Sequence, residues 1–419
     1  MIQLLVLADD FTGALDTGVQ FSSQGINTLV TTNQSVNYTS LEDEVEVLVI
    51  NTESRYLSFE DAYQLVSKIL SDAKNYGIPY FYKKVDSALR GNISSEIKAL
   101  LDQFPEKKAA MVPAYPSIKR VIRGGKLYID EVPVSDSVFA KDPYEPVTES
   151  DIAKRLNQEA GIETSLVSSQ SFLKAKQHLL LFDSETEEEV EEIAANLHQQ
   201  NQLSVTIGCA GFAKYLVKQL FPKKEVLRPQ LTKPLLVICG SVNPITRQQI
   251  EYAQEKHYLR ISLSSQELLE ENYWQSDSGQ DKLGTYLENI LQSELAIIET
   301  LDEKTSHDIV VYAQAQGLDR NAIRFKIGQS LGELTEQLLE KELVRTFLFT
   351  GGDTLYQSMQ VLHIDQIKPL CELSAGVVLA ELTWKDKVIQ VITKSGGFGH
   401  RELFEDINKM VQKEENHVN

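Results

Sequence analysis

Short apolar runs recur along this chain, and most are followed by a stretch in which apolar residues return with helical period. A strand covered on both faces reads as an unbroken Val/Ile/Leu run, so this alternation predicts an α/β fold with largely parallel sheets. In the first half the strand candidates are residues 3–7, 27–32, 45–50, 80–84, 108–112, 179–182 and 204–207, with helical patterns over 12–23, 59–73, 94–103 and 185–198. Residues 121–147 break the alternation with Gly124, Gly125, Pro133, Pro143 and Pro146, the composition of a hairpin-bearing excursion. Residues 221–234 carry Pro222, Pro229 and Pro234 among charges and show no amphipathic period, as a linker does. A second series follows, with strands expected at 235–239, 258–262, 308–313, 345–349, 376–382 and 388–393, and helices near 244–255, 282–292, 330–341 and 402–413. The expected architecture is two domains, 1–225 and 226–419, each a mostly parallel sheet flanked by helices, with the active site in the cleft between them.

A length of 419 residues agrees with two cores rather than one. The formal charge of −19 disfavours nucleic acid and anionic membranes as partners, because both are bound through basic patches. The chain starts in an apolar strand without a basic leader, and no apolar run is long enough for a membrane span, so the cytoplasm is the expected compartment. Cys209, Cys239 and Cys371 lie far apart without pairing motifs and read as small buried hydrophobes, not as reactive thiols or a disulfide or zinc framework. An acidic protein that binds an anion needs local clusters of Lys, Arg and backbone N–H groups. Those clusters are the places to look.

In open α/β sheets ligands sit at the carboxyl ends of strands, where turns lead into helices. The first such turn is Asp9-Asp10, before Thr12 and Gly13. One carboxylate there would be a helix cap, but two adjacent ones point to a ligand, with Asp10 accepting a substrate hydroxyl's hydrogen bond or its proton. Arg55 follows the third strand and suits a carboxylate. Lys84, Val85, Asp86 and Ser87 end the fourth strand, with Arg90 beyond. Lys84 and Arg90 would neutralise an anion, and Asp86 is either their ion-pair partner or a proton acceptor. Lys119, Arg120 and Arg123 form a further basic patch, an anion site, a lid or a solvated loop.

The second half offers three phosphate cradles. Gly240-Ser241 precedes Asn243 and Pro244, a helix-start pair whose free N–H groups, with the Ser241 hydroxyl, suit a nucleotide. Gly351-Gly352 precedes Asp353-Thr354, and Lys394-Ser395 precedes Gly396, Gly397 and Gly399. The P-loop pattern and a complete dinucleotide fingerprint are both absent, and the histidines make no metal-ligand spacing. Gly328 to Gly332 match G-x-S-x-G, but the residues before Ser330 are short and half charged, so Ser330 reads as a helix start and not as a nucleophile.

Together the segments ADDFTGALDTG, KKVDSALRGN, VPAYPSIKR, VPVSDSVFAKDP, GS before NPITRQQI, TGGDT and KSGGFG resemble the four-carbon acid sugar kinase family, which includes D-threonate, D-erythronate and 3-oxo-tetronate kinases. They occur in the family's order over nearly the whole chain. The resemblance implies an N-terminal domain that binds the acid sugar, a C-terminal domain that binds ATP, and transfer to the sugar's terminal hydroxyl. It carries substrate contacts onto Asp10, Arg55 and Lys84 to Ser87, and nucleotide contacts onto Ser241, Gly351, Gly352 and Lys394 to Gly397. Cys209 stands where the family more often has Ser.

The expected mechanism has Arg55, Lys84 and Arg90 fixing the acid, and Asp10 or Asp86 orienting the hydroxyl and taking its proton. Lys394 and the glycine turns would hold phosphates bridged by Mg²⁺, with no metal site built from protein side chains. A homodimer is the expected assembly. The rival readings are a nicotinamide-dependent dehydrogenase and a non-catalytic nucleotide or metabolite sensor.

Overall fold

Among the described residues of the first unit, eight strands form one wholly parallel sheet. The computed structural model describes every residue except 42–43, 143–144, 226–230, 232–233, 242, 301–302, 343–345 and 416–419, and leaves out the side chains of 303–307, 320–321 and 411–415. Contacts divide the chain into two compact units, Met1–Leu227 and Arg228–Asn419. The linker expected over 221–234 falls in good part on residues outside the described set, as do Pro143 of the excursion and Arg345 of the expected strand 345–349.

The strands of the first unit are β1 (Leu4–Ala8), β2 (Thr28–Thr31), β3 (Val47–Asn51), β4 (Tyr80–Lys84), β5 (Ala109–Val112), β6 (Arg120–Arg123), β7 (Lys126–Ile129), β8 (Val132–Pro133), β9 (Thr164–Val167), β10 (Leu179–Phe182) and β11 (Val205–Gly208). The parallel sheet runs β2-β3-β1-β4-β11-β5-β10-β9, and β6, β7 and β8 form a separate antiparallel sheet. Helices α1 (Phe11–Ser22), α2 (Phe59–Tyr76), α3 (Ile93–Gln103), α4 (Ile152–Ala160), α5 (Glu187–Gln199) and α6 (Ala210–Leu220) flank the parallel sheet. β1, β3 and β10 are buried along their whole length, which is why they read as unbroken apolar runs. Local signals set the helix ends. Ser58 accepts from the Asp61 N–H to start α2, Gly77 closes it in the left-handed region, and Thr186 with Glu189 forms a capping box on α5.

The second unit contains β12 (Leu235–Cys239), α7 (Pro244–Glu255), β13 (Leu259–Ser262), α8 (Ser265–Leu269), α9 (Asp277–Leu291), β14 (Leu295–Glu299), α10 (Glu303–Ala315), α11 (Arg320–Glu340), β15 (Thr346–Thr350), α12 (Gly352–Val361), β16 (Gln366–Ser374), β17 (Val377–Trp384), β18 (Lys387–Lys394) and α13 (Leu403–Glu415). Strands β13-β14-β12-β15-β18 are parallel, and β18-β17-β16 continue antiparallel. Each unit is therefore α/β, the second with a mixed sheet.

Two sequence expectations change here. Residues 308–313 are helical, inside α10: Ile309 and Ala313 are buried one helical turn apart while Val310 and Val311 are exposed. The strand of this region is β14, with five consecutive buried residues. Ser330 starts no helix. It sits in the middle of α11, donating to the Glu267 carbonyl at 2.6 Å and accepting from the Trp274 indole at 2.9 Å. It has no elbow geometry. Among the described residues no helix is long and apolar enough to cross a membrane.

Candidate active site

In the first unit, strand register brings the sequence motifs to one edge. Ala8 at the end of β1 lies level with Asn51 of β3 and with Lys84 of β4, and Lys84 lies level with Gly208 of β11. Asp9 and Asp10, the turn leading to Arg55, and the Val85-Asp86-Ser87 turn all emerge there. Asp10 is the N-cap residue of α1 by position, yet its side chain caps nothing. It turns to the cations: Asp10 Oδ1 is 2.8 Å from Lys84 Nζ and 2.8 Å from Arg55 Nη2. Asp9 Oδ2 accepts from Arg55 Nε at 2.7 Å, and its Oδ1 is 3.3 Å from Lys84 Nζ.

Asp86 is tied still more tightly. It accepts from Arg90 Nε at 2.9 Å and Nη2 at 3.0 Å, and from the backbone N–H groups of Ala88 at 3.1 Å and Arg90 at 3.3 Å. Arg55 Nη2 stands 3.8 Å away, and Arg90 Nη1 reaches Asp142 at 3.2 Å. Two glycines make room for the cluster. A Cβ on Gly13 would lie 1.8 Å from Lys84 Nζ, and one on Gly91 (φ +82°) would lie 2.9 Å from Arg55 Cγ.

Burial raises the cost of every charge here, and pairing overcomes it. Burial alone would push the Asp9 carboxyl up, but Arg55, Lys84 and Lys83 together hold it well below the usual carboxylate range. Asp86 is also buried, and Arg90 and Arg55 hold it well below that range. Burial pulls against the charged forms of Arg55 and Lys84, but the aspartates outweigh it and raise both. Of the three aspartates, Asp10 is the most open, with a side chain 22% exposed against 1% for Asp9 and 9% for Asp86. Behind them lies a fully buried pair, Lys83 Nζ to Glu96 Oε2 at 3.0 Å, with Ser54 donating to the same carboxylate. Val85 is fully buried, and its N–H donates to the Gly208 carbonyl at 2.9 Å. Ser87 accepts from Arg120.

The second unit repeats the edge with different chemistry. Cys239 of β12 lies level with Thr350 of β15, which lies level with Lys394 of β18, so the three glycine turns leave the sheet side by side. A Cβ on Gly396 would come 2.5 Å from Ser241 Oγ, and one on Gly397 would come 3.5 Å from Asn243 Nδ2. Gly351 holds φ +91° and precedes α12, whose N-terminus has no side-chain cap. Among the described residues, the N–H groups of Gly396 and Gly397 have no acceptor. This is a cradle of backbone donors beside a bare helix start, which fits a polyphosphate.

Lys394 does not extend into that cradle. It is fully buried, and its ammonium donates to Thr246 Oγ1 at 3.0 Å and to the carbonyls of Ser395, Gly396 and Phe398 at 3.1, 3.2 and 3.2 Å. A lysine has three donors, and four acceptors already surround this one. Burial pulls it down to about 8. Thr246 also donates to the Gly396 carbonyl at 2.9 Å, so Lys394 and Thr246 together shape the loop.

A profile described as a sugar-binding N-terminal domain matches residues 4–216, just over half of the chain, and one described as a nucleotide-binding C-terminal domain matches residues 236–404. The chain belongs to the four-carbon acid sugar kinase family. A D-threonate kinase of Salmonella typhimurium is 26% identical over 418 residues, covering 95% of this chain and 96% of its own length. A 3-oxo-tetronate kinase of Haemophilus influenzae is 24% identical over 425 residues, covering 96% and 98%. A solved structure of a Haemophilus influenzae protein superposes with a TM-score of 0.74 at 25% identity, covering 97% of this chain and 100% of that one.

Within this family member, the structure brings Asp10, Arg55, Lys84, Asp86, Ser87 and Arg90 together at one edge, and Ser241, Gly351, Gly352, Ser395, Gly396 and Gly397 together at another. The sequence marked Asp9 and Gly13 as part of the first turn without giving either a separate role, and gave no sign of the Lys83–Glu96 pair, of the room made by Gly91, or of Thr246. The two buried lysines had a signal: adjacent Lys83 and Lys84 on an apolar strand point to opposite faces and cannot both be solvated.

Proposed function

We propose that this protein is an ATP-dependent kinase of four-carbon acid sugars, transferring the γ-phosphoryl group to the acid's terminal hydroxyl. The observation that carries this reading is the pairing of two strand-edge sites in one family member: a carboxylate and cation cluster in the sugar-binding unit, and a backbone-donor cradle in the nucleotide-binding unit. Phosphoryl transfer asks for positioning and charge neutralisation more than for covalent chemistry, and both sites supply those.

Asp10 is the group that orients the attacking hydroxyl and takes its proton. Their bonding favours Asp10 over Asp86. Asp86 accepts from two backbone N–H groups and a bidentate guanidinium and lies well below the usual range, so it is a poor proton acceptor that instead holds Arg90 and Arg55 in place. Asp10 is the more open carboxylate and rests on Lys84 and Arg55, which stabilise it as a hydrogen-bond acceptor.

On the nucleotide side, the N–H groups of Gly396 and Gly397, the Ser241 hydroxyl and the start of α12 hold the phosphates, and Lys394 keeps the loop in shape from beneath. Mg²⁺ bound with the nucleotide would supply neutralisation of the triphosphate's charge beside these amide donors. In-line transfer requires the acid and the nucleotide to be bound together.

A coupled ADP-release assay with Mg²⁺ and ATP tests this against D-threonate, L-threonate, D-erythronate and the 2- and 3-oxo-tetronates. ADP should form only when an acid is present, in step with a phosphorylated tetronate. Folded protein that releases no ADP with any of the five would end the proposal.

A further inference from the structure

The cations of the acid-sugar cluster already stand in ion pairs, with Arg55 Nη2 beside Asp10 but without an aligned hydrogen bond. Arg55 and Lys84 are paired with Asp9 and Asp10, and Arg90 is paired with Asp86 and Asp142. Four carboxylates thus face three cations, a surplus of negative charge that would repel an incoming carboxylate. The substrate's own carboxylate therefore needs a cation from outside this set.

The antiparallel hairpin supplies one. Lys119, Arg120 and Arg123 lie together in sequence but turn apart in space. Lys119 is 3.4 Å from Asp130, and Arg123 is 2.6 Å from Glu185 and 3.3 Å from Glu131. Arg120 alone turns to the cluster, where its Nη1 donates to the Ser87 hydroxyl. Among the described residues no carboxylate lies within ion-pair distance of it. It is half-buried, and its guanidinium lies 5.1 Å from the centre of the Phe139 ring, while that of Arg90 lies 5.3 Å from the same ring. Its backbone is fixed as well: Arg120 N–H donates to Tyr115 O at 3.1 Å, and Tyr115 N–H donates to Arg120 O at 2.7 Å.

We infer that Arg120, held over Phe139 and against Ser87, binds the substrate's carboxylate and is the residue that makes this kinase specific for an acid over a neutral polyol. A guanidinium has five donors in a planar fork suited to a carboxylate, and Ser87 accounts for one of them. Arg120 also restores charge balance at the site. Burial lowers it below the ordinary arginine range, the mark of a desolvated cation that lacks a close counter-ion. The assignment rests on an acid sugar being the substrate, and it gives the carboxylate to Arg120 in place of Arg55 and Arg90, which are ion-paired with Asp9, Asp10 and Asp86.

The test uses the full-length chain and its Arg120→Gln and Arg120→Lys variants, with D-threonate and D-erythronate and their neutral amides. Folding of each variant is checked by circular dichroism. In the ADP-release assay, Arg120→Gln should raise KM for the acid about 30-fold, the scale of a lost charge-assisted hydrogen-bond pair. KM for ATP should not move, kcat should change little, and the preference for acid over amide should vanish. Arg120→Lys should recover part of that preference, and it carries the comparison if the glutamine variant does not fold. An unchanged KM for the acid, or an equal loss for acid and amide, would overturn the inference. If the wild type turns over no tetronate, the kinase reading falls separately, and isothermal titration without nucleotide decides the inference: acid binding that weakens in Arg120→Gln upholds it, and binding that is absent or indifferent to the change overturns it.

Discussion

At the strand ends of the first unit, buried charges answer one another: Asp9, Asp10 and Asp86 are met by Arg55, Lys84 and Arg90 at 2.7 to 3.8 Å. At the strand ends of the second unit, one buried ammonium, Lys394, is ringed by three carbonyls and a hydroxyl, and among the described residues the Gly396 and Gly397 amides have no acceptor. The difference matches the ligands proposed for each. A small acid with several hydroxyls is recognised by directional side chains whose positions are locked by ion pairs. A triphosphate is recognised by dipoles that need glycine for close approach, and a fixed cation is needed only to hold the loop.

The sharpest way to break this contrast is at Asp10. Asp10→Asn should lower kcat about 10³-fold, within the range for a lost general base, with KM for ATP and the thermal midpoint little changed. A loss below tenfold would remove Asp10 from the chemistry and return the choice to Asp86. The next largest effect is on stability. Lys83→Met strands Glu96, whose carboxyl burial already pushes up, and should destabilise the first unit by about 3 to 5 kcal/mol in urea denaturation. A cost near zero would show that the buried pair is not what anchors α3 to β4. Smaller again, Gly396→Ala sets a Cβ 2.5 Å from Ser241 Oγ and should raise KM for ATP about tenfold while KM for the acid stays put. An unaffected KM for ATP would move the phosphates off this loop.

The gentlest test is pH. Asp9 and Asp86 are depressed in the folded state, so the stability they add is complete above the ordinary carboxylate range and is lost as pH falls from about 4 towards their folded values. Lys394 is displaced the other way, to about 8 from 10.5, so between those values the unfolded chain binds more protons and stability rises with pH. Both tryptophans, Trp274 and Trp384, lie in the second unit, so their fluorescence follows that unit while far-ultraviolet dichroism follows both. The dichroism midpoint should fall on acidification, and the fluorescence midpoint should rise modestly between pH 8 and 10. A flat fluorescence midpoint over that window would contradict the burial of a charged Lys394.

Much of the fold was legible because parallel strands buried on both faces, such as LLVLA, VLVIN and LLLF, cannot hide in the sequence. Residues 308–313 misled because their β-branched run resembles a strand, although only Ile309 and Ala313 face the core. The site motifs were visible as polar residues directly after apolar runs. Their partners were not. Nothing along the chain says that Lys394 turns inward to carbonyls, or that Arg120, some thirty residues beyond Ser87, folds back onto it, since both follow from register and a hairpin rather than from local pattern.

The division of labour between the two edges is tested most directly by isothermal titration of the full-length protein, with Mg²⁺·ADP and D-threonate titrated separately into the wild type, Asp10→Asn and Gly396→Ala. Gly396→Ala should weaken the nucleotide about tenfold and leave the acid unchanged, and Asp10→Asn should do the reverse. Equal loss of both ligands in either variant, or a wild type that binds neither, would contradict the account.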